Sequence, residues 1–327
     1  NATANDSVSG VVTVTPLIMK LLDGPGIYTL TSNVDTAPDF TGTIYDDTYN
    51  AADLDTDPDG EGDVPLLGNL DNIDGGEGND TLNIYSTSSN GAIDHTGSYS
   101  FTVANIETVN LETVGDYTLD TTGFTGTTTL NSTKSAIATL TAATTTDINI
   151  TNATGVTTVD GGKNLSVTAD NDANVIIGGT TANAGTIAVT HTDSATDADN
   201  GTITVDGGTT VTITSTVSED SGDVAIGATT AATGAVVVTA NVNADGDEVG
   251  GLAAGAIDVT GGTSVNVTAN LTSVAADDDA DTDVTGGDIT VTADANTTGV
   301  TIIQNESTTT NTLAAVAGTT ETASVTF

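Results

Sequence analysis

A short unit, TITVDGGTTVTIT at Thr202–Thr214, constrains the fold of this chain more than any other stretch. Its two arms alternate apolar and polar residues with period two, the pattern of half-buried strands, and Gly207–Gly208 stands between them. The unit recurs as TTVDGGKNLSVTA from Thr157 and as AIDVTGGTSVNVTA from Ala256. In each copy the second arm begins eight residues after the first, at 157 and 165, 203 and 211, and 257 and 265. Gly161–Gly162, Gly207–Gly208 and Gly261–Gly262 tolerate the positive φ of a tight turn, so each copy reads as two strands joined across a glycine turn. The copies lie 46 and 54 residues apart (157 to 203, 203 to 257), a spacing that marks a stacked repeat architecture with loops of variable length.

The same period continues outside the three copies. Apolar pairs at i and i+2 run from Leu165/Val167 through Val175/Ile177, Ile187/Val189, Val224/Ile226 and Val236/Val238 to Ile289/Val291 and Val300/Ile302. Two apolar residues per strand make a thin core, and stacking similar turns buries each layer against the next. Thr fills the outward positions, where its branching favours strands. The expected fold is all-β, a parallel β-helix of short strands, with an array of β-sandwich domains as the alternative. All five prolines precede residue 66, and nine of the ten aromatic residues precede residue 125. The organisation read from these shifts is a β-rich segment with acidic loops over 1–70, a glycine-rich turn and strand pair over 71–124, and the repetitive β-helix over 125–327. Within the middle part, FTVANIETVNLETVGDYTL offers Ile106, Val109 and Leu111 as core residues.

Charge narrows the function. The 327 residues carry a net charge of −42, with Lys20, Lys134 and Lys163 as the three basic residues. Such a chain lacks the basic patch that nucleic acid or an anionic membrane surface requires. There is no cysteine, hence no disulfide framework or thiol chemistry. No apolar run approaches the ~20 residues of a transmembrane segment. No basic-apolar leader opens the chain at Asn1, which reads as a processed or excised piece. Of the 45 acids, 37 are Asp and eight are Glu. Asp belongs in tight loops and is a principal side-chain ligand of calcium, so the skew points to calcium ahead of bare halophile-type solvation, and the two can coexist.

Two motifs sharpen that reading. In DTDPDGEGD, Asp55, Asp57 and Asp59 alternate, Gly60 follows and Asp63 falls at the ninth position, as in the opening of a calcium loop. Leu66 stands where a closing bidentate Glu would be, so this is no EF-hand; a solvated acidic turn is the alternative. GGEGNDTLN at Gly75–Asn83 fits the nonapeptide G-G-x-G-x-D-x-U-x at Gly75, Gly76, Gly78, Asp80 and Leu82. There the glycines let carbonyls turn toward an ion, Asp80 supplies a carboxylate, and Leu82 anchors the next strand. Asp71, Asp74 and Glu77 are candidates to complete the shell. Further acidic loops interrupt the ladder, with Asp197 and Asp199, Asp245 and Asp247, and Asp277, Asp279, Asp281 and Asp283 as candidate ligands. Bare, such loops repel themselves; a bound cation turns that cost into stabilisation.

Catalysis has little to work with: His95 and His191 are the only histidines, and Arg, Cys and Trp are absent. Asp94 beside His95 reads as a turn, because neighbours on a strand point apart. The expectation is a protein that is not an enzyme. N-x-S/T triplets at Asn1, Asn131, Asn149, Asn152 and Asn266 occur near the chance rate of a Thr-rich chain.

The order of GGEGNDTLN, NIETVNLET at Asn105–Thr113, VDGGKNLSVTA, GTITVDGGTTVTIT and AIDVTGGTSVNVTA resembles the Caulobacter-type surface-layer proteins, in particular their central calcium-binding β-helical region, from about Asp74 to about Ile303. The resemblance implies type I secretion, calcium-dependent folding outside the cell, and self-assembly into a two-dimensional lattice. A secreted adhesin or extracellular filament subunit of similar build is the alternative. The residues before Asp74 do not resemble the family's lipopolysaccharide-anchoring domain, and no further nonapeptide array follows. A surface polysaccharide anchor would therefore act through parts outside this chain. Only Gly75, Gly76, Gly78 and Asp80 inherit a binding role from the motif.

Overall fold

The computed structural model describes residues 24–53, 66–68, 70–86, 93–95, 100–133, 138–170, 173–193, 201–218, 220–244, 252–275, 284–310 and 323–326. Their regular structure is entirely β. The strands are β1 (Ile27–Thr29), β2 (Thr48–Asp53), β3 (Asn72–Asp74), β4 (Thr81–Ser86), β5 (Ile93–His95), β6 (Thr102–Ala104), β7 (Thr108–Thr113), β8 (Tyr117–Asp120) and β9 (Thr129–Thr133). There follow β10 (Ala138–Ala142), β11 (Asp147–Ala153), β12 (Thr157–Gly161), β13 (Leu165–Asp170), β14 (Val175–Ile177), β15 (Thr186–Asp193), β16 (Ile203–Val205), β17 (Thr210–Val217) and β18 (Val224–Ile226). The last are β19 (Ala235–Ala244), β20 (Leu252–Ala253), β21 (Ile257–Thr260), β22 (Ser264–Ala275), β23 (Val284–Thr285), β24 (Ile289–Thr292), β25 (Gly299–Thr310) and β26 (Ala323–Thr326).

Twelve strands form one long sheet, β1-β2-β4-β7-β9-β11-β13-β15-β17-β19-β22-β25, and ten form a second, β5-β8-β10-β12-β14-β16-β18-β21-β24-β26. Two small pairs, β3 with β6 and β20 with β23, complete the set. Every strand pairing among the described residues is parallel. From β4 onward the chain passes from one sheet to the other and back, adding one strand to each per coil. This is a parallel β-helix.

Period two now has a physical meaning. In the long sheet, Tyr28, Tyr49, Leu82, Val109, Leu130, Ile148, Leu165, Ile187, Val211, Val236, Val265 and Val300 stand in register on successive strands. The second sheet answers with Leu119, Leu140, Val159, Ile177, Val205, Ile226, Val259 and Val291, all buried. Each such side chain stabilises by about 1.5–3 kcal/mol when fully buried, but only because the coils above and below close over it. The expected core residues Ile106, Val109 and Leu111 are buried, and the FTVANIETVNLETVGDYTL stretch forms three strands, β6, β7 and β8.

The long-sheet column also measures the coils. Successive members are 33, 27, 21, 18 and 17 residues apart from Tyr49 to Leu165, then 22, 24, 25, 29 and 35 apart to Val300. The first step, Tyr28 to Tyr49, is 21 residues; from Tyr49 onward the coils shorten toward the middle and lengthen again toward β25. The additional residues of the long coils follow the C-terminal ends of the long-sheet strands, where the acidic loops lie in the sequence.

The glycine pair is a corner and not a hairpin. β12 belongs to the second sheet and β13 to the long one, and the same holds for β16 and β17, and for β21 and β22. Gly207 and Gly208 have φ of 88° and 85°, and their amides bond in opposite directions, Gly207 to the Thr230 carbonyl of one neighbouring coil and Gly208 to the Asn183 carbonyl of the other. The sequence repeat is also longer than one coil. Between the VDGG corners lie coils with corners of another type, GGTTANAG after β14 and GATTAATG after β18. The two types lock together. Asp160 Oδ1 accepts the amides of Thr180 and Thr181 at 2.7 and 3.3 Å, and Asp206 Oδ1 those of Thr229 and Thr230 at 2.7 and 2.9 Å. A separation of 46 or 54 residues therefore spans two coils.

Asp206 is buried, so Asp206→Ala leaves two corner amides without an acceptor, a defect worth about 1–3 kcal/mol. Native-state hydrogen exchange should show faster exchange at Thr229 and Thr230 and lost protection in β18 and β19, with the distant β7 and β9 unchanged. Uniform loss along the whole chain would contradict neighbour-to-neighbour coupling between coils.

Candidate functional site

The nonapeptide occupies one corner of the helix, and two neighbouring coils complete it. Asp47, Asp80 and Glu107 each immediately precede a long-sheet strand, β2, β4 and β7. In-register pairing of those strands stacks the three acids coil upon coil. Asp80 and Glu107 each capture the backbone amide of the acid in the coil before. Asp47 N–H donates to Asp80 Oδ1 at 2.7 Å, and Asp80 N–H donates to Glu107 Oε2 at 2.7 Å. Asp47 in turn accepts from the Gly26 and Thr43 amides and, at 3.0 Å, from Thr43 Oγ1.

The glycines explain how the coils approach so closely. Gly76 and Gly78 have φ of 93° and 135°, a region that side chains rarely adopt. A side chain at Gly75 would collide with the Asn105 carbonyl and the Asp80 carboxylate, and one at Gly78 with the Tyr45 carbonyl. Backbone carbonyls of the adjoining coils are thereby packed against the motif. Glu77 N–H donates to the Thr43 carbonyl at 3.2 Å, and Asn79 N–H to Asp46 Oδ1 at 2.8 Å.

Asp80 is the singular member of this column. It is 1 % exposed, and while Oδ1 accepts from Asp47, Oδ2 is buried with no hydrogen-bond partner. Burial pushes its carboxyl up to about 6; the Asp47 amide opposes the shift, and the charges of Asp47, Glu107 and Asp46 reinforce it. An unpartnered buried carboxylate oxygen costs free energy unless something positive answers it. The surrounding donors, carboxylates and backbone carbonyls, are the hard-oxygen set that suits a hard cation. Among the described residues no group of three or more His, Asp or Glu side chains is placed to hold a metal ion by side chains alone. A cation here would take Asp80 Oδ2 and backbone carbonyls.

The other expected ligands distribute unevenly. Asp74 ends β3, and its Oδ1 accepts from Gly76 N–H at 3.1 Å and Asn105 Nδ2 at 2.8 Å, so it braces the glycine turn. Asp71 holds another turn, accepting from the Asp35 and Gly68 amides at 2.9 and 2.6 Å. Burial raises its carboxyl above the ordinary range, and those same two amides oppose the shift. Asp55, Asp57, Asp59, Asp63, Asp197, Asp199, Asp245, Asp247, Asp277, Asp279, Asp281 and Asp283 lie outside the described residues. The strands that precede them in the sequence, β2, β15, β19 and β22, all belong to the long sheet.

Asp47 and Glu107 were not visible as partners of Asp80 from the nonapeptide alone. A signal for them exists. DTYN at 47–50, DTLN at 80–83 and ETVN at 107–110 repeat one pattern, continued by TTLN at 128–131 and TDIN at 146–149. The closing asparagines form a ladder on the outer face. Asn83, Asn110, Asn131 and Asn149 each donate Nδ2 to the Oδ1 of the preceding member, beginning at Asn50, over 2.9–3.0 Å.

No protein-family model matches the chain, and no curated protein matches it. Among the described residues no helix is long and apolar enough to cross a membrane.

Because the folded-state value for Asp80, about 6, lies above the ordinary carboxyl value of 3.8, the fold favours its protonated form. That contribution is complete below about pH 4 and is lost as pH rises through about 6. In chelator, the denaturation midpoint should therefore fall between pH 5 and pH 7.5, and Asp80→Asn should flatten that fall. Parallel profiles for the two proteins would remove Asp80 as its source.

Proposed function

We propose that this chain is a structural component of a bacterial cell surface layer, self-assembling outside the cell with calcium as its ligand. The observation that carries the reading is the buried, unpartnered Oδ2 of Asp80 at the centre of the Asp47–Asp80–Glu107 column. Bound calcium supplies positive charge and oxygen coordination where the fold has stacked negative charge. Asp80 offers the free carboxylate oxygen, Gly75, Gly76 and Gly78 keep the corner narrow, and Asp74 holds the turn through Asn105.

The wider architecture supports a mechanical role. Twelve parallel strands in one sheet make a stiff body, and a net charge of −42 with three basic residues leaves the repulsion to be answered by ions from solution. Extracellular calcium modules bind at about 10⁻⁴–10⁻³ M, so a site of this class stays empty in cytosol and fills after export. The acidic segments that follow long-sheet strands in the sequence are the natural places for bridges between subunits, whether the product is a lattice or a filament.

Calcium titration followed by electron microscopy tests the reading, with magnesium and sodium as controls. Ordered sheets or filaments are expected only with calcium, near millimolar concentration. Asp80→Asn should raise the calcium needed by about tenfold or more, since it removes the charge behind the unpartnered buried oxygen of this corner. A chain whose circular dichroism, melting and association state all ignore calcium would return the acids to simple solvation.

A further inference from the structure

The long sheet has an outer face as well as a core face, and its chemistry departs from the rest of the molecule. Outward positions on β15 are Thr186, Ala188, Thr190 and Thr192, and on β17 Thr210, Thr212, Thr214 and Thr216. On β19 they include Ala235, Val237, Thr239 and Asn241, on β22 Ser264, Asn266, Thr268 and Asn270, and on β25 Thr301, Ile303 and Asn305. None of these is charged, in a chain with 45 acids. Thr168, Thr190, Thr214, Thr239 and Thr268 stand in register as one column of hydroxyls and methyls. Extending the face back over β9, β11 and β13 adds two charges, Asp147 at the start of β11 and Asp170 at the end of β13, both at the margin. The second sheet is different: Asp120, Asp160 and Asp258 lie on its outer side.

One row of the face is also tied by hydrogen bonds. Asn270 donates to Asn241 at 2.8 Å, Asn305 donates to Asn270 at 2.9 Å, and Asn241 donates to Thr216 Oγ1 at 3.1 Å. Side chains already ordered lose little entropy on being covered. Eight strands about 4.8 Å apart, each presenting about seven residues at about 3.3 Å, give a flat area of about 900 Å². A standard protein interface needs about 800 Å² per partner.

We propose that this face is a self-association surface, on which a second copy of the same chain packs sheet against sheet. Two copies at −42 repel through their acidic surfaces, and the orientation that keeps those charges farthest apart joins the two neutral faces. The contact is isologous, the same patch on both partners. Its two carboxylates, Asp147 and Asp170, lie at the margin and apart from the Asp47–Asp80–Glu107 column, so the contact is independent of the calcium corner and supplies a second contact direction for an assembly.

Analytical ultracentrifugation of the full chain tests it, in chelator and in calcium, at low and high sodium chloride. A dimer is expected in both ion conditions, tightening as salt screens the remaining repulsion. The double variant Thr212→Glu, Thr268→Glu should weaken it about a hundredfold or more, because like charges then oppose across a dry contact. The matched variant Thr158→Glu, Thr204→Glu adds the same charge to the outer side of the second sheet and should change the constant by less than about threefold. Circular dichroism confirms the fold of each. A chain that stays monomeric in high salt overturns the proposal, as does equal weakening by both variants. Association that requires calcium and ignores the Thr212 and Thr268 variant also overturns it, while leaving the calcium reading intact.

Discussion

In-register parallel pairing between one coil and the next is the interaction on which this structure depends. Within a single coil, two or three apolar side chains per strand have nothing to pack against. Stacked, Leu140, Val159, Ile177 and Val205 form one line through the second sheet, and Ile148, Leu165, Ile187 and Val211 another through the long sheet. Stability in such a body is a sum of neighbour terms. Where pairing slips, the effect is local: the register shifts between Ile150 and Ala153, with Asn152 at φ 56°, and normal pairing with β13 resumes at Ala169.

The alternation of apolar and polar residues was sufficient to read strands, their inward faces and their stacking, because period two is a direct image of the pleat. The direction of the chain at Gly207–Gly208 was not legible in the same way. Positive φ permits a hairpin or a corner between sheets equally well, and only the location of the partner strands separates the two. The coil count was hidden for a related reason. Coils with VDGG corners resemble each other, but the intervening coils carry TTA corners whose amides are held by Asp160 and Asp206, so likeness in sequence skips a coil.

At the nonapeptide corner, glycine spacing made Gly75, Gly76, Gly78 and Asp80 visible because the nonapeptide is a rigid pattern. Asp47 and Glu107 escaped it, since their coils lack the full glycine set: Thr43 and Tyr45 stand in the coil of Asp47, and Asn105 and Ile106 directly precede Glu107. What ties the three acids together is their position before a strand, written in the Thr-apolar-Asn that follows each. A loop motif finds one coil; the strand register finds its neighbours.

Stacking identical positions multiplies whatever chemistry a residue carries. An asparagine above an asparagine satisfies both, since each amide donates upward and accepts from below, and the ladder from Asn50 to Asn149 runs through five coils. A carboxylate above a carboxylate can only accept. The Asp47–Asp80–Glu107 column survives by borrowing backbone amides, two of them from within the column itself, and those run out at Asp80 Oδ2. In the next two coils the equivalent positions are Thr128 and Thr146, whose hydroxyls donate to the carbonyls of Glu107 and Thr127 at 3.3 and 3.0 Å. One repeating geometry thus yields a self-satisfying face of asparagine and threonine and a short acidic corner in which one buried carboxylate oxygen has no donor. The contrast follows from donor and acceptor count alone.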